Sequence, residues 1–134
     1  MTRDDATPED LRFLEEQINE YNFATTGIRD ARLLVRLLRD ADGRIYAGVS
    51  GHTWGDVAEI RFLWVDAPRR HTGIGRGLLR AAEDEARARG CRKIVLSTHS
   101  FQAPGFYFKL GYVIAGRFSD YPRGHTSIFL EKPL

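Results

Sequence analysis

Three glycines, Gly73, Gly75 and Gly77, stand within five residues, between two segments of different hydrophobic pattern. An apolar run ends at Val65, and a helical pattern begins at the glycines. A turn of this kind points bare backbone N–H groups at one place, where the N-terminus of the following helix adds about half a positive charge. Four arginines flank the glycines: Arg69, Arg70, Arg76 and Arg80. The segment therefore predicts a site for a small phosphate-bearing ligand.

The spacing of the glycines argues against two common phosphate-binding loops. No Gly-Lys-Ser or Gly-Lys-Thr follows, as a P-loop requires. A dinucleotide fingerprint, Gly-x-Gly-x-x-Gly, that starts at Gly73 would place its last glycine at Leu78. That fingerprint also needs an acid at the end of the next strand, where this chain has Leu96 to His99 and no acid. Nicotinamide-dinucleotide binding is therefore disfavoured.

Two side chains outside the glycine segment are candidates for proton transfer. Glu59 lies on the strand that leads into the segment, and Tyr107 lies in a short helix predicted over 103–110. The histidines are dispersed along the chain and lack the spacing of metal ligands: His52, His71, His99 and His125. No metal site is predicted. For His99 and His125, near the predicted active-site end, a substrate or proton-shuttle role competes with a packing role.

Three motifs in order resemble the GCN5-related N-acetyltransferase (GNAT) family. Arg70-x-x-Gly73-x-Gly75 resembles the family's acetyl-CoA signature. Ala58-Glu59-Ile60 precedes it on the same strand, and the segment 103–112 (Ala-Pro-Gly-Phe-Tyr-Phe-Lys-Leu-Gly-Tyr) resembles the family's tyrosine motif. The likeness runs from about Leu33 to the C-terminus. The chain departs from the family pattern at Ser100, where an asparagine is usual, and in the short segment before its first helix.

The resemblance implies acetyl-CoA as the acyl donor. Its pantetheine arm would lie between the end of the third strand and the strand that contains Ile94, and backbone N–H groups of the glycine segment would bind the pyrophosphate. The implied cofactor-binding residues are Leu63, Trp64, Val65, Arg70, His71, Thr72, Gly73, Ile74, Gly75, Arg76, Ser100, Gln102 and Tyr107. The backbone N–H near Leu63 would also stabilise the oxyanion that forms during transfer.

The resemblance also implies a mechanism, direct attack of an amine on the thioester. Glu59 would act as the base, directly or through water, although a carboxylate that pairs with Arg61 or Arg44 on an exposed strand explains the residue equally well. Tyr107 would protonate the leaving thiolate, and its alternative role is packing beside Phe106 and Phe108. We expect acceptors to be primary amines of small molecules. The alternatives are a lysine or N-terminus of a protein, and a non-catalytic acyl-CoA-binding module.

The bulk composition sets the broad class. With 134 residues we expect one domain, 1–134, with a real hydrophobic core. The net charge of +2 gives no indication of a nucleic-acid or membrane partner. Cys91 stands alone, the N-terminus lacks a signal-peptide pattern, and no apolar run is long enough for a membrane span, so we expect a cytoplasmic protein. A homodimer is compatible with the resemblance.

The predicted elements follow the order α-β-β-β-α-β-α-β-β and form one α/β domain with a mixed sheet. Turn residues divide the first three strands, which predicts an antiparallel meander followed by a β-α-β unit. The resemblance places the cofactor where two central strands of this sheet splay apart. Three side-chain environments are also predicted. The stripe Leu11, Leu14, Ile18 and Tyr21 packs, the run Glu83-Asp84-Glu85 is a solvated helix face, and Trp64 belongs to the core.

Overall fold

The computed structural model describes residues 5–134, which divide into two compact units, the residues up to Asp30 and Ala31–Leu134. The helices are α1 (Pro8–Thr26), α2 (Ile74–Ala88) and α3 (Pro104–Lys109); the strands are β1 (Arg32–Arg39), β2 (Ile45–Trp54), β3 (Val57–Val65), β4 (Lys93–His99), β5 (Val113–Ser119) and β6 (Thr126–Pro133). The predicted order of elements is confirmed. The single-domain assignment stays a prediction. Within the described residues, no helix combines the length and apolarity that a membrane span needs.

Helix α1 is defined by its ends. The Thr7 hydroxyl accepts from the Asp10 N–H at 3.2 Å, and the Asp10 carboxylate accepts from the Thr7 N–H at 2.8 Å, a reciprocal capping box. Pro8 occupies the first turn, and Gly27 ends the helix at a φ of 73°. These caps confirm the predicted start of the helix.

The predicted apolar stripe of α1 has no partner within its own unit. Its side chains are 60% to 67% exposed, and α1 contains no buried residue: Leu11, Leu14, Ile18 and Tyr21. Within the unit, α1 is the one regular element among residues 5–30 and has no second element there to cover it. The packing of this stripe stays a prediction.

The unit Ala31–Leu134 is built on a six-stranded mixed sheet in the order β1-β2-β3-β4-β6-β5. β1, β2 and β3 pair antiparallel as the predicted meander, β3 and β4 pair parallel, and β6 pairs antiparallel with both β4 and β5. Helix α2 connects the two parallel strands. Its buried residues, which include Leu79 and Ala82, join Leu34, Val49 and Ile94 in the core. The predicted α/β class with a mixed sheet is confirmed.

The prediction of a solvated acidic run on α2 is wrong for Glu83. Glu83 is only 4% exposed; its carboxylate accepts from the Tyr112 hydroxyl at 2.7 Å and from Lys132 Nζ at 3.1 Å. Asp84 stays exposed, and Glu85 pairs with Arg89 at 3.1 Å. Tyr112 and Lys132, which lie 29 and 49 residues along the chain, stabilise Glu83, since a buried carboxylate requires hydrogen bonds and a positive charge nearby.

A β-bulge changes the direction of side chains on β3. Ile60 pairs with Gly51 and Phe62 with Ser50, so Arg61 is the extra residue. Beyond the bulge, Phe62 and Trp64 lie on the sheet face opposite the buried side chain of Ile60. The core assignment of Trp64 is therefore wrong, and its side chain is 48% exposed. Beyond the bulge, β3 no longer pairs with β4.

Candidate active site

The predicted gap between the central strands is present. The parallel pairing of β3 and β4 begins at Val57 with Lys93 and ends at Ile60 with Leu96. Beyond that pair, β3 stays with β2 as far as Val65, while β4 stays with β6 as far as His99. Two strands that keep their outer partners and lose each other leave a wedge-shaped opening. Backbone groups that face the opening are available to pair with an extended ligand.

The glycine segment follows β3 directly and lies at the wide end of this opening. A short 3₁₀ turn, Ala67–Arg69, follows β3 and is tied back by the N–H of Asp66, which donates to the Tyr46 carbonyl at 2.7 Å. The chain then adopts left-handed conformations at His71 (φ 63°) and Gly73 (φ 89°). Only glycine adopts that conformation without cost, which explains Gly73; His71 carries some strain there.

The N-terminus of α2 is open. Gly73 is its N-cap and offers no side-chain acceptor, and the first helical bond runs from the Gly77 N–H to the Gly73 carbonyl. Within residues 5–134, the backbone N–H groups from His71 to Arg76 have no hydrogen-bond acceptor. The N–H of Arg70 is different, because it donates to the Ala67 carbonyl at 3.2 Å. Unpaired N–H groups and the helix dipole together suit an anion.

The arginines of the segment have separate surroundings. Arg70 Nε donates to the Val65 carbonyl at 2.9 Å and so joins the segment to the end of β3. The Arg69 guanidinium lies 4.2 Å from the centre of the Tyr46 ring and 3.6 Å from the Asp66 carboxylate. Both contacts keep positive charge at the turn, although the Asp66 carboxylate partly neutralises that of Arg69.

Tyr107 lies on α3, beside the start of α2. Its ring contacts Phe106 at 5.0 Å and Tyr112 at 5.7 Å between centroids, both edge to face. A methyl group at Gly75 would lie 3.7 Å from the Phe106 ring, which shows how closely α3 approaches the glycine segment. Burial raises the pKa of Tyr107 above the ordinary phenol value, so its hydroxyl keeps its proton at neutral pH.

Glu59 lies on the open face of the sheet, opposite the α2 side. Its carboxylate is 3.6 Å from an Arg61 nitrogen and 3.8 Å from His52 Nδ1, and its side chain is about two-fifths exposed. The predicted pairing with Arg61 is present. Glu59 pairs in register with Val95, so it stands where β3 and β4 are still joined.

Ser100 and Gln102, predicted to contact the cofactor, use their side-chain oxygens inside the protein. Ser100 Oγ accepts from the Thr126 N–H at 2.9 Å. Gln102 Oε1 accepts from the Thr98 hydroxyl at 3.0 Å and from the His99 N–H at 2.7 Å. Both side chains therefore fix the loop after β4.

Four rings form a cluster beside that loop, which we call the ring cluster; sequence reasoning placed His99 and His125 near the active-site end but did not join them in a cluster. It consists of His99, Phe101, Tyr121 and His125. His99 stacks on Phe101 at 5.2 Å, and Phe101 contacts His125 edge to face at 4.9 Å. The available signal was four rings in two short segments, which the observed pairing of β4 with β6 brings together.

Comparison with known proteins agrees with this architecture. The sequence matches the acetyltransferase (GNAT) family over residues 2–112. It is 42% identical to blasticidin-S acetyltransferase of Streptomyces morookaense over 93 residues, 69% of this chain and 68% of that protein. A crystal structure of an acetyltransferase from Bacillus cereus is 34% identical, with a TM-score of 0.82 over 100% of this chain and 98% of that one.

A Bacillus anthracis structure in complex with acetyl coenzyme A has the same fold. It is 24% identical, with a TM-score of 0.67 over 77% of this chain and 63% of that one. The family match covers most of the chain and confirms the predicted fold and enzyme class. The chain therefore belongs to the acetyltransferase (GNAT) family, in which acetyl-CoA is the acyl donor.

Proposed function

We propose that this protein transfers the acetyl group of acetyl-CoA to a primary amine of a small molecule. The observation that carries the proposal is the open N-terminus of α2 at the wide end of the gap between β3 and β4. With the phosphates bound at that position, the extended pantetheine arm lies in the gap and its end lies between β3 and β4. The related blasticidin-S acetyltransferase, whose name states a small-molecule substrate, supports the choice of acceptor.

The donor site uses backbone more than side chains. N–H groups from His71 to Arg76 bind the pyrophosphate, and the guanidinium groups of Arg70 and Arg76 add charge-assisted contacts. The pantetheine arm pairs with the backbone of Leu63 to Val65 along the gap. Ser100 and Gln102 retain a hydroxyl and an amide NH2 as donors toward the arm, since only their oxygens accept within the protein.

We assign Tyr107 to the leaving group. An amine nitrogen attacks the thioester carbonyl, the oxyanion accepts a hydrogen bond from the N–H of Leu63, and the C–S bond breaks. A phenol whose pKa is raised is a weaker acid than the thiol it would protonate, so it cannot donate its proton favourably by itself. Tyr107 can protonate the sulfur if it takes up the proton of the attacking nitrogen at the same time.

Glu59 is the proposed base, either directly or through water. Its carboxylate lies 3.6 Å from an Arg61 nitrogen and 3.8 Å from His52 Nδ1, and its side chain is 42% exposed. The exposure of Glu59 is also compatible with the protein-lysine alternative, because a peptide can reach a residue on an uncovered strand more easily than a residue inside a closed pocket. The acceptor test therefore includes both classes.

The proposal is tested by following release of free thiol from acetyl-CoA with a panel of small primary amines and a lysine-containing peptide. We expect amine-dependent release with at least one small amine and an acetylated product of the expected mass. Faster transfer to the peptide would favour the protein acetyltransferase alternative. Tight binding of acetyl-CoA without transfer to any acceptor would favour a non-catalytic binding module.

A further inference from the structure

The ring cluster at the end of β4 fixes the orientation of one imidazole. His99 Nδ1 lies 3.0 Å from the backbone carbonyl oxygen of Tyr121, and the Tyr121 ring lies 5.5 Å from the His99 ring. A carbonyl oxygen only accepts hydrogen bonds, so Nδ1 must be the nitrogen that carries the hydrogen. In the neutral ring, Nε2 then keeps its lone pair. Stacking on Phe101 and the bond from the His99 N–H to Gln102 hold the residue from two further sides.

The strand register places His99 across the gap from the predicted thioester position. Parallel pairing ends at Ile60 with Leu96, and His99 is three residues beyond Leu96. On β3, Arg61 is the extra residue of the bulge and is skipped in the register. The residue level with His99 is therefore Trp64, next to Leu63. Glu59, in contrast, stands one pair before the gap opens.

The same register shows on which face of the sheet His99 lies. Val95 is level with Glu59, and alternation along β4 then puts His99 on the face of Glu59, away from the buried Leu96. Phe62 and Trp64 lie on that face beyond the bulge, 72% and 48% exposed. Aromatic rings therefore border the gap from β3 on one side and from the ring cluster on the other. Ring faces attract an ammonium group.

We propose that this ring-bordered opening is the acceptor-amine site, and that His99 Nε2 takes the proton from the incoming ammonium group. The inference rests on the proposed function, names its acceptor subsite and moves the role of base from Glu59 to His99. Imidazole is the side chain that most readily exchanges protons near neutral pH. His99 also stands level with Trp64 across the gap, whereas Glu59 stands one pair before the gap opens and is paired with Arg61.

The protons balance in two steps. The ammonium group gives one proton to His99 Nε2, which releases it to solvent after turnover. The neutral nitrogen then forms the N–C bond, and the C–S bond breaks. The second proton leaves the nitrogen and replaces the one that Tyr107 gives to the CoA sulfur. The products are the acetamide, CoA thiol and one proton.

Two measurements test the inference. The first is a long-range ¹H–¹⁵N spectrum of protein with ¹⁵N-labelled histidine, which distinguishes imidazole tautomers. We expect His99, in its neutral form, to carry hydrogen on Nδ1. A ring with hydrogen on Nε2 overturns the inference, whatever the activity.

The second measurement compares wild type with His99→Asn, because the asparagine amide retains a donor toward the Tyr121 carbonyl and removes Nε2. The probes are phenethylamine and n-hexylamine. We expect kcat/KM for the amine to fall at least a hundredfold, the range of general-base catalysis, while the Kd for acetyl-CoA stays within twofold. Unchanged kcat/KM, or a loss explained by acetyl-CoA affinity, overturns the inference. Wild type without activity toward either probe or the wider amine panel overturns the proposed function itself, and this inference with it.

Discussion

Replacing Gly51 by alanine should destabilise the protein, because the bulge on β3 depends on a glycine at that point of β2. An alanine methyl group would overlap the carbonyl oxygen of Glu59 and lie 2.9 Å from its carbonyl carbon and 3.0 Å from the Cα atom of Ile60. All three are backbone atoms, so no side-chain rotation relieves the contact. Separating the two strands should cost about 1–3 kcal/mol, the usual range for overpacking.

Gly116→Ala is the matched control. Gly116 also lies in a strand beside a register shift, but an added methyl group meets no atom within 4 Å. Its effect should stay within about 0.5 kcal/mol. The general loss of unfolded-state entropy on replacing glycine acts on both variants alike and cancels in the comparison.

Urea unfolding followed by tryptophan fluorescence measures the difference, since Trp54 and Trp64 lie on β2 and β3. We expect Gly51→Ala to be less stable than Gly116→Ala by at least about 1 kcal/mol, a few degrees in Tm for a chain of this length. Equal stability of the two variants would refute the dependence of the bulge, and of the exposed position of Trp64, on a glycine at residue 51.

Three further predictions concern tyrosine and carboxylate groups. Tyr107→Phe should lower turnover at least tenfold, about 1.4 kcal/mol in barrier, without weakening acetyl-CoA binding; unchanged turnover with an accepted amine would remove the acid role. Burial and the bond to a carboxylate raise the pKa of Tyr112 above the phenol value, so its contribution to stability is complete below about pH 10 and is lost as pH rises further. Tyr112→Phe should therefore flatten the alkaline fall in unfolding free energy, and exposed Tyr21→Phe should not. Glu59→Gln should reduce kcat/KM for the amine less than His99→Asn, and the reverse order would return the base role to Glu59.

The order and type of the elements could be predicted because their signals are local. Thr7 with Pro8 starts α1, and Gly90, at a φ of 85°, follows the end of α2 as the pattern predicted. Turn residues between the first three strands indicated the meander. The family motifs located the glycine segment and the tyrosine by the same local reading.

Features that depend on distant partners could not be predicted in this way. Glu83 is buried because Tyr112 and Lys132 reach it from far along the chain. Trp64 is exposed because one extra residue on β3 is opposed by Gly51 on β2, a match that no periodic pattern contains. The orientation of the His99 ring depends on a carbonyl group 22 residues away.

The site residues divide along the same line. The sequence indicated the glycine segment as a phosphate site because backbone geometry there follows from glycine itself. It placed Ser100 and Gln102 at the cofactor because the resemblance did. The bond that Ser100 accepts comes from Thr126, 26 residues away, whereas Gln102 accepts from its neighbours Thr98 and His99.

Binding of the acetyl-CoA pyrophosphate at the open N-terminus of α2 is the central element of the proposed function. The most direct measurement is a titration of ¹⁵N-labelled protein with acetyl-CoA, following each backbone amide by two-dimensional NMR. We expect saturable shifts that are largest at the amides from His71 to Arg76, with smaller shifts along β3 from Leu63 to Val65. Absence of saturable shifts, or shifts that leave the amides of Gly73 to Arg76 unchanged, would contradict this binding mode.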